Sequence, residues 1–142
     1  MAQIDLRVAA YSVIVEDGRI LLAHWNERGR GGWTLPGGGL EAGEDPADAA
    51  VREALEETGH DVELVELVGI DSRIMPIEER GGDAIRPLHT LRIVYTARVV
   101  GGELRNEPDG STDEARWFDL AEVALLQRVS LVDAALGLAG LG

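Results

Sequence analysis

The segment from Asp45 to Gly59 is marked at both ends as a single helix. Asp45 suits the N-cap, Pro46 suits the first helical position, and Gly59 suits the left-handed position that closes a helix. Between these ends, small and apolar residues recur at helical spacing and predict a side that faces the core. This predicted side comprises Ala47, Ala50, Val51, Ala54, Leu55 and Thr58. The helix must therefore pack along one face against another layer of the fold.

Three glutamates, Glu53, Glu56 and Glu57, lie in the last turns of this helix. Like charges three and four residues apart repel by about 0.2–0.5 kcal/mol per pair, and the C-terminal end of a helix disfavours anions. At about 100° per residue, the three carboxylates point along one stripe beside the core face. A local rule broken this plainly indicates a role other than stability. Clustered carboxylates are typical of a site for a hard divalent cation.

The residues that precede the helix complete a site rich in oxygen ligands. Arg52 is placed to orient Glu44 of the preceding loop through a bidentate pair. The triple glycine Gly37–Gly39 lets the backbone approach closely, so the Gly38 carbonyl is a further candidate ligand. Carboxylates, a carbonyl and water suit Mg²⁺ or Mn²⁺. The inferred chemistry is metal-assisted attack of water on a phosphorus atom.

This spacing resembles the Nudix box of the Nudix hydrolases, which here runs from Gly38 to His60. The family's pattern is Gly, five residues, Glu, seven residues, Arg-Glu, an aliphatic residue, any residue, Glu-Glu, any residue, Gly and an aliphatic residue. All seven fixed positions are present, as Gly38, Glu44, Arg52, Glu53, Glu56, Glu57 and Gly59. The two aliphatic positions depart from the pattern, because they hold Ala54 and His60.

The resemblance implies a fold and an activity. The fold class is α/β, a Nudix-like α/β/α sandwich in which a mixed β-sheet is flanked by helices, with residues 1–142 forming a single Nudix hydrolase domain. The activity is hydrolysis of a pyrophosphate bond in a nucleoside diphosphate linked to another moiety. Substrates of this class include nucleoside triphosphates, ADP-ribose and other sugar nucleotides. The cofactor is Mg²⁺, with Mn²⁺ as an alternative.

The resemblance also implies roles for single residues. The implied metal ligands are Gly38, Glu53, Glu56 and Glu57. Glu44 and Arg52 would support the site structurally. Glu56, Glu57 and Glu114 compete for the role of general base, and the segment around Glu114 resembles one that often supplies a further carboxylate. The implied catalytic residues are therefore Glu53, Glu56, Glu57 and Glu114.

Outside the box, the pattern of residues predicts a succession of strands and two further helices. The predicted strands are Val8–Val15, Arg19–Trp25, Trp33–Leu35, Val62–Met75, His89–Val100 and Ala115–Phe118. Asp17-Gly18 predicts a tight hairpin between the first two strands. One helix is predicted from a capping box at Asp119 to about Gln127, and Ser130 and Asp133 are predicted to cap the last helix. Substrate identity is expected to lie in the loops Asn26–Gly32, Pro76–Pro87 and Asn106–Asp113.

Composition narrows the function further. The chain of 142 residues suits one domain, and the absence of cysteine excludes disulfides and thiolate chemistry. A formal net charge of −13 argues against binding to nucleic acid polymers. There is no signal-peptide pattern at the start, and the longest apolar stretches are too short to cross a bilayer. The expectation is a cytoplasmic protein that acts on a small nucleotide-type substrate without a membrane, with a homodimer as the common default.

Two questions stay open at this level. Arginines that are candidates to hold a phosphate or ribose are Arg30, Arg73, Arg80, Arg86 and Arg92. The alternative function is a non-catalytic module that senses nucleotides or binds partners on the same fold. The intact Arg52-Glu53 and Glu56-Glu57 pairs argue against that alternative, since such modules often have a degraded box.

Overall fold

In a computed structural model of the chain, which describes residues 3–27, 30–107 and 112–142, a mixed β-sheet lies between helices. The strands are β1 (Asp5–Glu16), β2 (Arg19–Glu27), β3 (Arg30–Thr34), β4 (Gly37–Gly39), β5 (His60–Met75), β6 (Leu88–Gly102) and β7 (Thr112–Asp119). The helices are α1 (Pro46–Thr58), α2 (Ile77–Arg80), a 3₁₀ helix (Leu120–Leu125) and α3 (Ser130–Leu138).

Strand β1 organises the sheet. It runs parallel to β6, from the pair Asp5 and Leu88 to the pair Ile14 and Ala97, and β5 lies antiparallel on the far side of β6. Beyond its hairpin, β1 continues as β2, which pairs with β3 and β7. On the edge opposite β6, β1 pairs with the short strand β4. The mixed sheet with flanking helices confirms the predicted architecture.

Two helices cover opposite faces of this sheet. Because successive strand residues point to opposite faces, Val13 and Ile14 of β1 belong to different core clusters. Val13 packs in the cluster that contains Leu131 and Val132 of α3, and Ile14 packs in the cluster that contains Ala54 of α1. The sheet face on the α1 side is the one that carries the predicted site.

Helix α1 begins and ends where the sequence predicts. Gly59 has a φ of 81°, in the left-handed region, and its N–H donates to the Leu55 carbonyl at 2.9 Å. The buried side is rotated from the predicted one: Ala49 and Glu57 are buried, whereas Ala47 is exposed and Leu55 is 38% exposed. The buried face of α1 therefore includes the carboxylate of Glu57, which the apolar pattern did not place there.

Several local predictions are wrong in instructive ways. The triple glycine Gly37–Gly39 lies outside the predicted strands, but it forms β4 because β1 supplies backbone partners for it. The predicted loop Asn26–Gly32 is largely occupied by the ends of β2 and β3, and residues 28 and 29 lie outside the described residues. The loop Pro76–Pro87 contains the short helix α2.

The C-terminal region also differs in detail from the prediction. The helix expected to run from Asp119 to about Gln127 is a 3₁₀ helix that ends at Leu125. The N-cap of α3 is Val129, so Ser130 is the first helical residue instead of the cap. In the described part of the chain, none of the helices combines the length and apolar character needed to cross a membrane.

Candidate active site

The glycine strand β4 lies against the second half of α1. A methyl group added at Gly38 would be 3.0 Å from the carboxylate carbon of Glu53, so glycine is what lets the two elements approach. Gly37 has a φ of 153°, and a methyl group there would lie 2.3 Å from the Ala10 carbonyl oxygen. The glycines thus bring a strand backbone directly against the carboxylates of the helix.

Glu57 is buried at this junction. Its side chain is 4% exposed and accepts a hydrogen bond from the Gly37 N–H at 2.9 Å. Burial raises the pKa of Glu57 well above its ordinary value, and the nearby charges of Glu53, Glu107 and Glu56 raise it further, while the Gly37 bond opposes the rise. Glu57 is therefore a carboxylate whose charge has no cationic partner in the described residues.

Arg52 holds several oxygens at once. Its Nε and Nη2 donate to the two oxygens of Glu44 at 2.8 and 2.9 Å, which is the bidentate pair that the spacing predicts. Its Nη1 donates to Glu53 at 3.0 Å and more weakly to Glu56 at 3.3 Å, and Nη2 also donates to the Gly39 carbonyl at 3.3 Å. One guanidinium thus joins the loop, the glycine strand and two helix carboxylates.

Glu44 is the best-compensated carboxylate of the site. Besides Arg52, it accepts the N–H of Glu41 at 3.0 Å. The hydrogen bonds from Arg52, followed by the backbone bond from Glu41, lower the pKa of Glu44 to about 2. A group that stays ionised and tightly bonded is suited to brace Arg52, and the supporting role of this pair stays a prediction.

The remaining carboxylates have an excess of negative charge. Burial raises the pKa of Glu53, and the charges of Glu56 and Glu107 add to the rise although Arg52 opposes it. Such oxygen donors fit a divalent cation in chemistry, because a cation would relieve the repulsion that the protein itself leaves uncompensated. In the described residues, no three His, Asp or Glu side chains converge closely enough to hold an ion. The donors are present, and some of their oxygens accept hydrogen bonds from Arg52 and from the Gly37 N–H.

Comparison with known proteins decides the family. A profile of the NUDIX domain matches residues 5–136. The chain belongs to the Nudix family. A solved NUDIX hydrolase from Nitrosomonas europaea has a TM-score of 0.79 and 28% identity, covering 96% of this chain and 89% of that one. Its likeness confirms the predicted Nudix-like α/β/α sandwich.

Two curated relatives support the same assignment. The ADP-ribose pyrophosphatase of Methanocaldococcus jannaschii is 38% identical over 114 residues, which are 80% of this chain and 62% of that protein. Putative nudix hydrolase 1 of Caenorhabditis elegans is 29% identical over 109 residues, which are 76% of this chain and 26% of that protein. The chain thus spans about three fifths of the first relative and about a quarter of the second. Divalent cations are the usual cofactors of Nudix hydrolases.

In this Nudix protein, Glu114 lies apart from the helix carboxylates. On β7, Glu114 and Arg116 share one face, whereas Trp117 is on the other face and packs in the core cluster of α1 residue Ala54. The Glu114 carboxylate pairs with Arg116 and borders an open cleft of about 450 Å³. That cleft is also lined by His24, Trp33, Asn106 and Asp113. Glu53 therefore lies against Gly38, and Glu53, Glu56 and Glu57 are neighbours on α1 that do not converge on one ion position, whereas Glu114 lies on β7 at the cleft.

Glu107 is the site residue that sequence reasoning missed. It precedes β7, and its charge contributes to the raised pKa of both Glu53 and Glu57. The buried Thr112 hydroxyl donates to the Glu107 carboxylate at 3.1 Å and fixes its position. No spacing in the sequence relates Glu107 to α1, because the fold of β6 and β7 creates this proximity. Part of the predicted loop Asn106–Asp113, residues 108–111, lies outside the described residues.

Proposed function

We propose that this protein hydrolyses the pyrophosphate bond of a nucleoside diphosphate linked to another moiety, with Mg²⁺ or Mn²⁺ as cofactor. The observation that carries the proposal is the surplus of carboxylate charge against a glycine strand, where burial and mutual repulsion raise the pKa values of Glu53 and Glu57. ADP-ribose is the first substrate to test, because a relative 38% identical to this chain is named an ADP-ribose pyrophosphatase. Nucleoside triphosphates and other sugar nucleotides complete the panel.

The roles of the residues follow from their positions. Glu53, Glu56 and Glu57 would hold the cation, together with the Gly38 carbonyl. When bound, the cation supplies a Lewis acid that neutralises charge on the phosphoryl oxygens. Arg52 orients Glu53 and Glu56 through its hydrogen bonds, and the burial of Glu57 keeps water away from one side of the carboxylates.

The candidates for the general base differ in how exposed they are and in what they contact. Glu56 is 46% exposed and only weakly bonded to Arg52, so it can face an attacking water. Glu57 is buried, and Glu114 is directed to the cleft beside Arg116. Glu107 joins the candidates because it lies near Glu53 and Glu57. This arrangement favours Glu56 or Glu107 over Glu114.

Hydrolysis and residue roles are tested together. Glu53→Gln and Glu57→Gln are expected to lower kcat by at least about 10³ while leaving the fold intact, since electrostatic stabilisation of this kind is worth several kcal/mol. Glu63→Gln is the matched control, because Glu63 is exposed on β5 and, among the described residues, forms an ion pair with Arg98 alone. Full turnover by both site variants would refute the proposal. Hydrolysis in ¹⁸O-labelled water with mass analysis of both products identifies which phosphorus is attacked.

The alternative function is separated by the same panel. Tight binding of nucleotides without turnover, with either Mg²⁺ or Mn²⁺, would instead support the non-catalytic module. We also propose a cytoplasmic protein that acts without membranes or nucleic acid polymers, and the net charge of −13 argues against binding such polymers.

A homodimer is part of this proposal. The sheet face beyond α1 exposes aliphatic side chains on β1 and β5, the strands on either side of β6: Leu6 is 63% exposed, Ile70 is 57% exposed and Ile74 is 60% exposed. A second copy of the chain could cover this uncharged patch without bringing together the acidic surfaces of two chains. Light scattering of the wild type and of Ile74→Asp tests it, and a monomeric wild type would contradict it.

A further inference from the structure

The cations of this protein are all arginines, and most of those described are already paired. The chain has thirteen basic residues, every one of them arginine. Of the candidates for binding phosphate, Arg73 pairs with Glu79, Arg80 and Arg86 with Asp5, and Arg92 with Asp71. The side chain of Arg30 lies outside the described residues. Arg52 is committed to the carboxylates of the site. None of these described side chains offers an uncommitted charge to a substrate.

Arg7 differs from them in both position and pairing. Within the described part of the chain, the ion pairs include none for Arg7, and the residue is exposed. Its guanidinium lies over Gly39: a methyl group added there would be 3.3 Å from Nη2 and 3.5 Å from Nε. The Gly39 carbonyl accepts from Arg52 at 3.3 Å. Gly39 therefore lies between the guanidinium of Arg52, which is bonded to several carboxylates, and that of Arg7, which has no ion pair in the described part of the chain.

The two sides of β4 carry opposite charge. Gly38 and Gly39 are successive strand residues, so Glu53, which lies against Gly38, and Arg7, which lies against Gly39, are on opposite faces. Among the described strands, β4 pairs only with β1, and two side chains of α1 meet its outer edge: Glu57 accepts the Gly37 N–H and Arg52 donates to the Gly39 carbonyl. The cluster on the α1 face is acidic, and Arg7, which has no ion pair among the described residues, lies against Gly39 on the other face.

We propose that Arg7 binds one phosphate of the substrate's diphosphate group, while the other phosphate lies at the carboxylate cluster. This inference rests on the proposed function and names the protein group that receives the second phosphate. A planar guanidinium presents two N–H donors to a phosphate in a bidentate geometry, and it stays charged at every working pH. On the α1 face, Glu53 lies against Gly38 and Arg52 is already bonded to carboxylates. A diphosphate bound in this way would extend past the glycine strand from Glu53 to Arg7.

The test measures binding and turnover separately. Calorimetry with α,β-methylene-ADP in Mg²⁺ follows binding of a diphosphate that cannot be cleaved at its bridge. Arg7→Ala is expected to weaken this binding about 10- to 100-fold, the loss expected for a charge-assisted hydrogen bond. Arg7→Lys should recover part of the loss, because it restores the charge but not the fork. Arg19→Ala, which removes an exposed arginine at the β1–β2 hairpin, should change binding less than about twofold.

Steady-state kinetics on the best substrate of the panel supplies the second readout. Arg7→Ala should raise KM about 10- to 100-fold and leave kcat within about threefold, since the contact exists before and during the reaction. Wild-type binding of α,β-methylene-ADP that is absent, or as tight in Arg7→Ala as in Arg19→Ala, would overturn the inference. Hydrolysis with an unchanged KM in Arg7→Ala would overturn it while the proposed function stands. Arg7-dependent binding without any hydrolysis would leave this inference standing and refute the proposed function.

Discussion

Replacing Glu57 by glutamine should stabilise the protein when no metal is present. The amide keeps the oxygen that accepts the Gly37 N–H at 2.9 Å and has nearly the same volume, but it removes a buried charge. Because burial raises the pKa of Glu57 above its ordinary value of 4.5, the folded protein binds a proton there more tightly than the unfolded chain does. The stability that this tighter proton binding contributes is complete below pH 4.5 and is lost as the pH rises through the folded-state pKa of Glu57.

The size of the effect follows from the burial of the group. A buried polar group without adequate partners costs about 1–3 kcal/mol, and more when it is charged. For 142 residues the unfolding entropy is about 0.3 kcal/mol/K, so 1 kcal/mol shifts Tm by about 3 °C. We therefore expect Glu57→Gln to unfold about 3–10 °C above the wild type at pH 8 in EDTA. At pH 4 the difference should nearly vanish, because the wild-type carboxyl is then neutral.

Differential scanning calorimetry at pH 4 and pH 8 measures this difference, with Glu63→Gln as the control for loss of an exposed charge. Adding Mg²⁺ at 100 times its Kd should stabilise the wild type by about 2.7 kcal/mol. Mg²⁺ should stabilise the variant less than the wild type, so the difference in Tm between them at pH 8 should become smaller or change sign. A Glu57→Gln protein that is less stable than the wild type at pH 8 in EDTA would refute the reasoning, since the carboxylate would then be compensated.

Four other substitutions test separate parts of the site. Arg52→Lys should lower kcat/KM by about 10² because lysine cannot form the bidentate pair. It should also raise the pKa of Glu44 from about 2, because the Arg52 hydrogen bonds that lower that pKa are lost. The wild type loses the stability that ionised Glu44 contributes as the pH falls from 4.5 to 2, so tryptophan fluorescence should show the variant unfolding at a higher pH within that window. Gly59→Ala should cost at least about 1–3 kcal/mol in urea unfolding, since its φ is 81° and the methyl group would lie 2.1 Å from a backbone carbonyl oxygen; an unchanged midpoint would show that the helix end can relax. Glu107→Gln should lower kcat by at least tenfold while Glu114→Gln lowers kcat less, and the reverse order would favour Glu114 as the general base.

The features that the sequence predicted correctly depend on short-range chemistry. The ends of α1 follow from Asp45, Pro46 and Gly59, whose backbone preferences act within one turn. The β1–β2 hairpin follows from Asp17-Gly18, because Asp17 has a φ of 52° and Gly18 a φ of 76°, as a primed turn requires. The Nudix box was readable because its spacing is fixed by a single loop and helix.

The features that escaped prediction depend on partners distant in the chain. Glycine has a low strand propensity, so β4 could be foreseen only from its pairing with β1. Glu57 was placed beside the core face because its residue type is polar, but the Gly37 N–H makes burial tolerable. Glu107 is 50 or more residues from the helix carboxylates and comes near them through the sheet. Arg7 was not among the candidates for binding phosphate, because only the register of β1 and β4 places it over Gly39.

The hydrogen bond between Gly37 and Glu57 makes one backbone amide an internal reporter of the whole site. The Gly37 N–H is fastened to a carboxylate oxygen, so its proton chemical shift should follow the charge on that oxygen. Protonation of Glu57 and capture of the carboxylate by a cation should move the resonance by different amounts. Its hydrogen-exchange rate should also register how often the helix and the glycine strand part. A single amide signal would then report ionisation, metal loading and local opening, without any substrate being added.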